Sequence, residues 1–210
     1  MPKSPSEYGR YFHKRAARFN AFYRTETVAR MLGRGALFDR LRQTVAIVAA
    51  LGARRVLDVG CGSGVLFGPL ADMGVHVVGV DPAPAMVALA RAKAQEYPGL
   101  VSVEEQGWET IDEDDTFDVA AALGVFDYIE DPVPLLRLMG RAAPHCVASF
   151  PAPGLRLRLR VIRYGARGVG VHGYTRDSIA SAAAQAGLAV EAVVPLDRAG
   201  YLVHFTRSRP

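Results

Sequence analysis

The stretch that decides the fold is VLDVGCGSG, residues 56–64. A short β-strand runs into three glycines at alternate positions, Gly60, Gly62 and Gly64, and an apolar helical stretch follows from about 65 to 73. Glycines at the end of a strand remove side chains, so a ligand can lie against the backbone there. In open parallel sheets, ligands bind at this carboxyl end of the strands. The stretch therefore predicts a ligand site at the edge of an α/β sheet.

Outside this turn, short apolar runs alternate with helical stretches along most of the chain. We predict strands at 55–59, 75–80, 100–104, 117–122, 144–150, 188–194 and 201–206. We predict helices at about 65–73, 83–96, 131–141 and 175–187. Alternating units of this length indicate a mostly parallel sheet covered by helices on both faces. The connection at 195–200 is too short for a helical crossover, so the last two strands are expected to pair antiparallel.

The first part of the chain has a different pattern of apolar residues from the rest. Residues 1–53 show apolar residues spaced by three and four, which is typical of helices, and we interpret them as a helical N-terminal extension or cap. Residues 54–210 form the α/β domain in this interpretation, with a basic insert at 152–173. The chain is therefore expected to hold one sheet domain and one helical addition.

Composition excludes several classes of protein. Half of the 210 residues are hydrophobic, so the chain has enough apolar side chains for a core. No apolar run reaches the length of about 18 residues that a membrane helix needs, and we find no signal peptide. Two cysteines, Cys61 and Cys146, make neither a disulfide framework nor a zinc site. We therefore expect a cytoplasmic protein without a bound metal.

The charge is distributed unevenly around a net value of +4. The balance is +9 over residues 1–55, −11 over 56–151 and +6 over 152–210. Such asymmetry is found in proteins that bind nucleic acid or membranes, and also where a basic rim surrounds an acidic middle. Charge alone does not choose between these partners.

The spacing of the glycines argues against a dinucleotide turn. The fingerprint G-x-G-x-x-G counted from Gly60 needs a glycine at position 65, which is Val65. The acidic Asp58 also opposes a pyrophosphate, whereas it suits a cationic ligand. The observed G-x-G-x-G preceded by Asp58 resembles the S-adenosylmethionine turn of class I methyltransferases, and the resemblance runs from about residue 54 to 206.

This resemblance implies a Rossmann-like, seven-stranded, mostly parallel α/β sheet with an antiparallel last strand. It implies S-adenosylmethionine as the cofactor and S-adenosylhomocysteine as the product. Asp81, 17 residues after Gly64 at the end of the second strand, is placed to accept hydrogen bonds from a ribose. The cofactor-binding residues expected on this basis are Asp58, Gly60, Gly62, Gly64, Asp81, Pro82, Gln106, Gly107, Trp108, Leu123 and Gly124.

One of these positions departs from the family pattern. An acidic residue often binds the adenine amino group just after the third strand, and Gln106 stands there in this chain. Its amide oxygen is still a hydrogen-bond acceptor. Trp108 is expected either to pack on the adenine face or to be an ordinary half-buried tryptophan.

The second half of the chain resembles small-molecule methyltransferases, including the magnesium-protoporphyrin O-methyltransferase group. The resemblance lies in Pro151 after strand five, the basic insert, and Gly173-Tyr174-Thr175 at the start of a helix. That group has a catalytic histidine in the loop after strand four, where this chain has Asp127. The departure argues against a porphyrin substrate.

The catalytic candidates are Asp127, Tyr128 and His172. Asp127 is a possible base or substrate anchor, with a helix cap or a surface aspartate as the alternative. His172 is a candidate because histidine is the usual residue for proton transfer near neutral pH, with a solvated, inert loop histidine as the alternative. The candidates for acceptor binding are Tyr11, Arg18, Arg156 and Tyr174.

The insert 155–163, LRLRLRVIR, alternates apolar residues with arginine. The period of two is that of a strand, but its neighbours favour a lid that is equally compatible with a helix. Arginines suit the recognition of an anion, and a stripe of Arg and Leu also suits contact with an anionic membrane. A solvated helix face is the third interpretation of this insert. Membrane contact is thus an open option for this insert that we do not predict.

The sequence therefore predicts a methyltransferase that transfers a methyl group to oxygen, nitrogen or carbon of a small metabolite, with an anionic metabolite as one option, as a monomer or homodimer. We do not expect nucleic acid as a partner, because the chain lacks the Asn/Asp-Pro-Pro-Tyr/Phe motif of base methylation. The basic segments are interpreted as a rim that attracts the acceptor. Two alternatives remain: a non-catalytic cofactor-binding or scaffold protein, and an NAD-dependent oxidoreductase.

Overall fold

A computed structural model describes residues 35–111, 116–166, 168–197 and 199–208. Two of the expected acceptor-binding residues, Tyr11 and Arg18, lie outside the described residues, as does most of the helical extension. In the described part of the chain, no helix has both the length and the apolar character needed to cross a bilayer.

The chain divides into two compact units, and the first comprises residues 1–111. Its described elements are α1 (Ala36–Ala50), β1 (Arg55–Val59), α2 (Phe67–Ala71), β2 (His76–Val80), α3 (Pro84–Ala94) and β3 (Val101–Glu104). β2 pairs with β1 on one side and with β3 on the other, and both pairings are parallel. Parallel pairing brings the carboxyl ends of the three strands to one edge, which is where the glycine-rich turn lies.

The second unit comprises residues 112–210. Its elements are β4 (Val119–Ala122), α4 (Val133–Ala142), β5 (His145–Pro151), α5 (Leu155–Gly165), α6 (Arg176–Gln185), β6 (Leu188–Pro195) and β7 (Gly200–Arg207). β4 pairs parallel with β5, whereas β7 runs antiparallel to both β5 and β6.

The seven strands form one sheet in the order β3-β2-β1-β4-β5-β7-β6. The prediction of a mostly parallel, seven-stranded α/β sheet with an antiparallel last strand is confirmed. The strand direction reverses at β7 because the short connection between β6 and β7 permits only a hairpin.

Two expected helices differ in detail from the structure. The helix after the glycine-rich turn is shorter than predicted and spans Phe67–Ala71, because the residues before it are taken up by the turn. The insert, for which strand and helix were both open, forms the helix α5. Thr175 caps the helix α6: its hydroxyl accepts a hydrogen bond from the backbone N–H of Ser178, and its own N–H donates to the Ser178 hydroxyl at 3.0 Å.

Aromatic side chains form the centre of the second unit. The ring of Phe150 on β5 stacks on Phe126 at 4.4 Å and meets Tyr174 edge-on at 5.3 Å. Phe205 on β7 packs against the same ring at 6.0 Å. Offset and edge-on geometries of this kind are the favourable ones for aromatic rings. The cluster holds the segments that carry Asp127 and His172 against the end of β5.

Candidate functional site

The glycine-rich turn follows β1 and has an unusual backbone. Gly60, Gly62 and Gly64 have φ values of +65°, +56° and +73°, a region that other residues rarely adopt. A Cβ atom at position 64 would lie 2.4 Å from the ring of Phe67, so packing requires a glycine there. A Cβ atom at position 62 would meet nothing within 4 Å. Gly62 therefore leaves open space beside the turn, as a site for a ligand against the backbone needs.

Asp81 connects this turn to the end of β2. Its carboxylate accepts hydrogen bonds from the backbone N–H of Gly62 at 2.9 Å and from that of Ala83 at 2.8 Å. A carboxylate has about four acceptor positions, so two of them are engaged by these bonds. The two N–H groups fix the orientation of the carboxylate and leave it capacity for ligand hydroxyls.

Asp58 on β1 is a buried carboxyl group in the same unit. Only 2% of its surface is exposed, and its Oδ2 has no hydrogen-bond partner among the described residues. Burial, followed by repulsion from Asp81, raises its pKa to about 8, although Arg40 acts in the opposite direction. Burial also raises the pKa of Asp81. The site thus holds two carboxyl groups whose ionisation a cationic ligand would favour.

The end of β3 adds a third segment at this edge. The N–H of Asp81 donates to the carbonyl of Glu104 at 3.2 Å, so the ends of β2 and β3 are adjacent. The side-chain nitrogen of Gln106 donates to the Glu104 carboxylate at 2.7 Å, and its oxygen accepts from the Thr110 hydroxyl at 3.2 Å. Trp108 lies half-buried in the short 3₁₀ helix Trp108–Thr110.

Glu104 is a candidate site residue that sequence reasoning missed. It supplies an acidic group at the end of β3, next to Gln106, where the family pattern has its acidic residue slightly later in the chain. The consecutive acidic residues Glu104 and Glu105 directly before Gln106 were the available signal. The structure therefore brings together Asp58, the glycines, Asp81 and the segment from Glu104 to Trp108 in the first unit.

In the second unit, the loop after β4 is tied to β5. Gly124 has a φ of +87°, and its N–H donates to the Ser149 hydroxyl at 2.8 Å. Leu123 lies between β4 and Gly124 and is half-buried. These contacts fix the backbone at the point where the loop leaves the sheet.

Asp127 lies in the next turn of this loop and has two contacts. Its carboxylate accepts a hydrogen bond from the Arg160 guanidinium of α5, with which it forms an ion pair. Its backbone carbonyl accepts a hydrogen bond from the N–H of His172 at 2.9 Å. The structure thus places Asp127 beside His172, with the neighbouring Tyr128 half-buried. Sequence reasoning treated Arg160 only as a member of the basic insert, because no local pattern shows its pairing with Asp127.

Tyr174 is buried beneath this cluster. Its hydroxyl donates to the carbonyl of Ile129, and its N–H donates to the carbonyl of Pro151 at 2.8 Å. Burial raises the pKa of the Tyr174 phenol above its ordinary value. In this structure Tyr174 therefore holds the loop after β4 against the end of β5. Arg156, by contrast, is exposed on α5, 4.0 Å from the Asp197 carboxylate.

Residues 56–143 match a family model described as "Methyltransferase domain". Among curated proteins, the chain is 41% identical over 87 residues to a ubiquinone biosynthesis O-methyltransferase of Azorhizobium caulinodans, covering 41% of this chain and 34% of that protein. It is 34% identical over 122 residues to the protein of that name from Bradyrhizobium diazoefficiens, covering 58% of this chain and 46% of the relative. The chain thus spans less than half the length of these relatives.

Among solved structures, the magnesium protoporphyrin IX methyltransferase of Synechocystis PCC 6803 with bound SAH superposes with a TM-score of 0.81 at 22% identity. The match covers 98% of this chain and 100% of that one. An S-adenosylmethionine-dependent methyltransferase from Mesorhizobium loti matches with a TM-score of 0.67 at 25% identity, over 84% of this chain and 100% of that chain. These superpositions extend the likeness beyond residues 56–143 to the whole sheet.

Proposed function

Because the chain contains a methyltransferase domain and has the fold of the class I S-adenosylmethionine-dependent methyltransferases, we propose that it transfers a methyl group from this cofactor to a small-molecule acceptor. The observation that carries the proposal is the buried pair Asp58 and Asp81 at an open glycine turn. The two carboxyl groups lie where the backbone leaves room for a ligand, and a bound cation would favour their ionised forms.

The residues of the first unit fit this cofactor. Its sulfonium and ammonium groups outweigh its one carboxylate, so it is a net cation, which suits Asp58 and Asp81. Asp81 has acceptor positions that would take the ribose hydroxyls, Gly62 leaves open space beside the backbone, and Gln106 and Trp108 would border the adenine. Pro82 and Gly107 complete the two segments that would hold the nucleoside.

The chemistry of the cofactor limits what the protein has to supply. When bound, its sulfonium methyl is the electrophile, so this chain's residues need to orient an acceptor in line and remove its proton. We assign the removal of the acceptor's proton to His172, whose backbone N–H is held by the carbonyl of Asp127. Asp127, fixed by Arg160, serves as a substrate anchor, with Tyr128 beside it. Leu123 and Gly124 would border the methionine part.

We propose an oxygen atom of an acidic acceptor as the nucleophile. The support is the likeness to curated O-methyltransferases together with the basic balance of +6 over residues 152–210, which favours an anionic acceptor. An acceptor hydroxyl needs a base near neutral pH, a role that suits histidine.

A transfer assay with methyl-labelled S-adenosylmethionine against fractionated metabolite extract tests the proposal. We expect label to appear in an acidic, base-stable small molecule with the wild-type chain and at a rate lowered at least tenfold with His172→Ala. Cofactor binding without any transfer across the fractions would instead favour a non-catalytic scaffold. Binding of NAD without either sulfur compound would favour an oxidoreductase.

A further inference from the structure

Helix α5 has an inner face that packs on its own unit. Leu157, Arg160 and Tyr164 lie three and four residues apart and therefore on one side of the helix. Arg160 pairs with Asp127, and Tyr164 is buried. A Cβ atom on Gly173 would lie 2.1 Å from Cδ2 of Leu157, so Leu157 packs closely on that glycine. These contacts fix the rotation of α5 about its axis.

The opposite face of α5 carries an apolar stripe in solvent. Leu155, Leu159 and Ile162 are 74%, 60% and 71% exposed. They lie four and three residues apart, which places them along one line of the helix. With 3.6 residues per turn, this line lies opposite to Leu157, Arg160 and Tyr164. Large apolar side chains are thus aligned on the side of the helix that faces away from its own unit.

Arginines border this stripe on both sides. Arg158 lies along one side, and Arg156 and Arg163 lie along the other. The eleven residues of α5 include no acidic residue. An apolar line with cations on both sides is the pattern of a helix that lies in the plane of a membrane surface, with arginines at the level of the headgroups.

We infer that α5 docks on an anionic lipid surface through Leu155, Leu159 and Ile162, with Arg156, Arg158 and Arg163 contacting lipid phosphates. The helix is about 16 Å long, so it is too short to span a bilayer but long enough to lie in its interface. Two copies packed stripe to stripe would bring the arginines of both helices together, and their like charges disfavour self-association. The inference concerns a surface and does not depend on methyl transfer.

Sedimentation with vesicles tests this inference on the full chain. We expect binding to vesicles of phosphatidylcholine mixed with phosphatidylglycerol, weaker binding at high salt, and little binding to phosphatidylcholine alone. The combined variant Leu155→Gln, Leu159→Gln and Ile162→Gln should bind at least about tenfold more weakly. Removing Arg158 alone should weaken binding by about fivefold.

The matched control is Met73→Gln, which changes another exposed apolar side chain (44%) in the first unit and should leave vesicle binding unchanged. Because all these positions are exposed, every variant should keep the wild-type unfolding midpoint. Absence of binding to the anionic vesicles at low salt would overturn the inference, as would undiminished binding of the triple variant. A wild-type dimer that the triple variant abolishes, without vesicle binding, would assign the stripe to a second copy and overturn it too.

Discussion

The backbone N–H of Gly62 donates a 2.9 Å hydrogen bond to Oδ2 of Asp81, 19 residues later in the chain. This bond joins the turn after β1 to the end of β2, so the glycine turn and the acidic group form one structure rather than two separate motifs. The neighbouring Asp58, buried on β1, adds a second carboxyl group to it. The stability, ligand preference and pH dependence of this site follow from that arrangement.

Asp58 gives the protein a pH dependence of stability. Its pKa is about 8 in the folded state against 3.8 for an ordinary aspartate, because burial disfavours the charged form. Between these values the folded state keeps a proton that the unfolded state has released, so the free energy of unfolding falls as pH rises from about 4 to 8. The loss is on the order of 5 kcal/mol at most. Asp58→Asn should remove this contribution.

Urea unfolding of the ligand-free protein at several pH values measures this effect. Relative to wild type, Asp58→Asn should become more stable as pH rises towards 9, since its amide does not ionise. Two stability curves that stay parallel across the window would mean that Asp58 carries no such shift.

Gly64 is required by packing as well as by backbone conformation. With φ at +73° and a Cβ position 2.4 Å from Phe67, Gly64→Ala should lower the free energy of unfolding by about 3 kcal/mol. Gly52→Ala is the matched control, because its φ is +60° but a Cβ atom there would meet nothing within 4 Å. Gly52→Ala should lower the free energy of unfolding by only about 1 kcal/mol. Equal losses at the two positions in urea unfolding would contradict the packing argument.

Gly62 should behave differently from Gly64. Its Cβ position is open, so Gly62→Ala should cost about 1 kcal/mol of stability, for its φ of +56°. The added methyl group would occupy the space that we assign to the cofactor, so binding of S-adenosylmethionine should weaken by more than tenfold. Calorimetric titration measures the affinity. Wild-type affinity in Gly62→Ala would show that no ligand approaches this backbone.

The ion pair between Arg160 and Asp127 is partly buried and links α5 to the loop after β4. Arg160→Gln should destabilise the protein by about 1–3 kcal/mol, because the Asp127 carboxylate loses its charged partner. Asp127→Asn should lower the free energy of unfolding by less in the Arg160→Gln variant than in the wild-type protein. A double-mutant cycle in urea measures this coupling, and additive losses would show that the two residues do not interact energetically.

His172 is assigned a role in proton transfer and none in cofactor binding. His172→Ala should lower turnover by about 10²–10⁴ while leaving the affinity for S-adenosylmethionine within twofold of wild type. Pre-ionised acceptors should restore much of the rate, because they need no base. A variant that keeps full turnover on a protonated hydroxyl acceptor would exclude His172 as the base.

The sequence predicted the sheet and the turn because both depend on local pattern. Strand-glycine-helix spacing around Gly60 and the alternating apolar runs are visible in single segments. The pairing of Asp127 with Arg160, 33 residues apart, depends on how α5 is rotated, which no local pattern contains. The insert itself was ambiguous because alternating Leu and Arg satisfies a period of two over its first half. The burial of Asp58, whose Oδ2 has no hydrogen-bond partner within the described part of the chain, is also visible only in three dimensions.

The central claim is that Asp58 and Asp81 form a site for a cationic cofactor, and calorimetric titration of wild type and Asp58→Asn tests it most directly. S-adenosylmethionine carries the sulfonium charge that S-adenosylhomocysteine lacks. Asp58→Asn should therefore weaken the binding of S-adenosylmethionine by about tenfold and the binding of S-adenosylhomocysteine clearly less. Wild-type affinity for S-adenosylmethionine should also rise with pH up to about 8, as Asp58 ionises. Failure of wild type to bind either compound, or an equal loss for both in Asp58→Asn, would contradict the account.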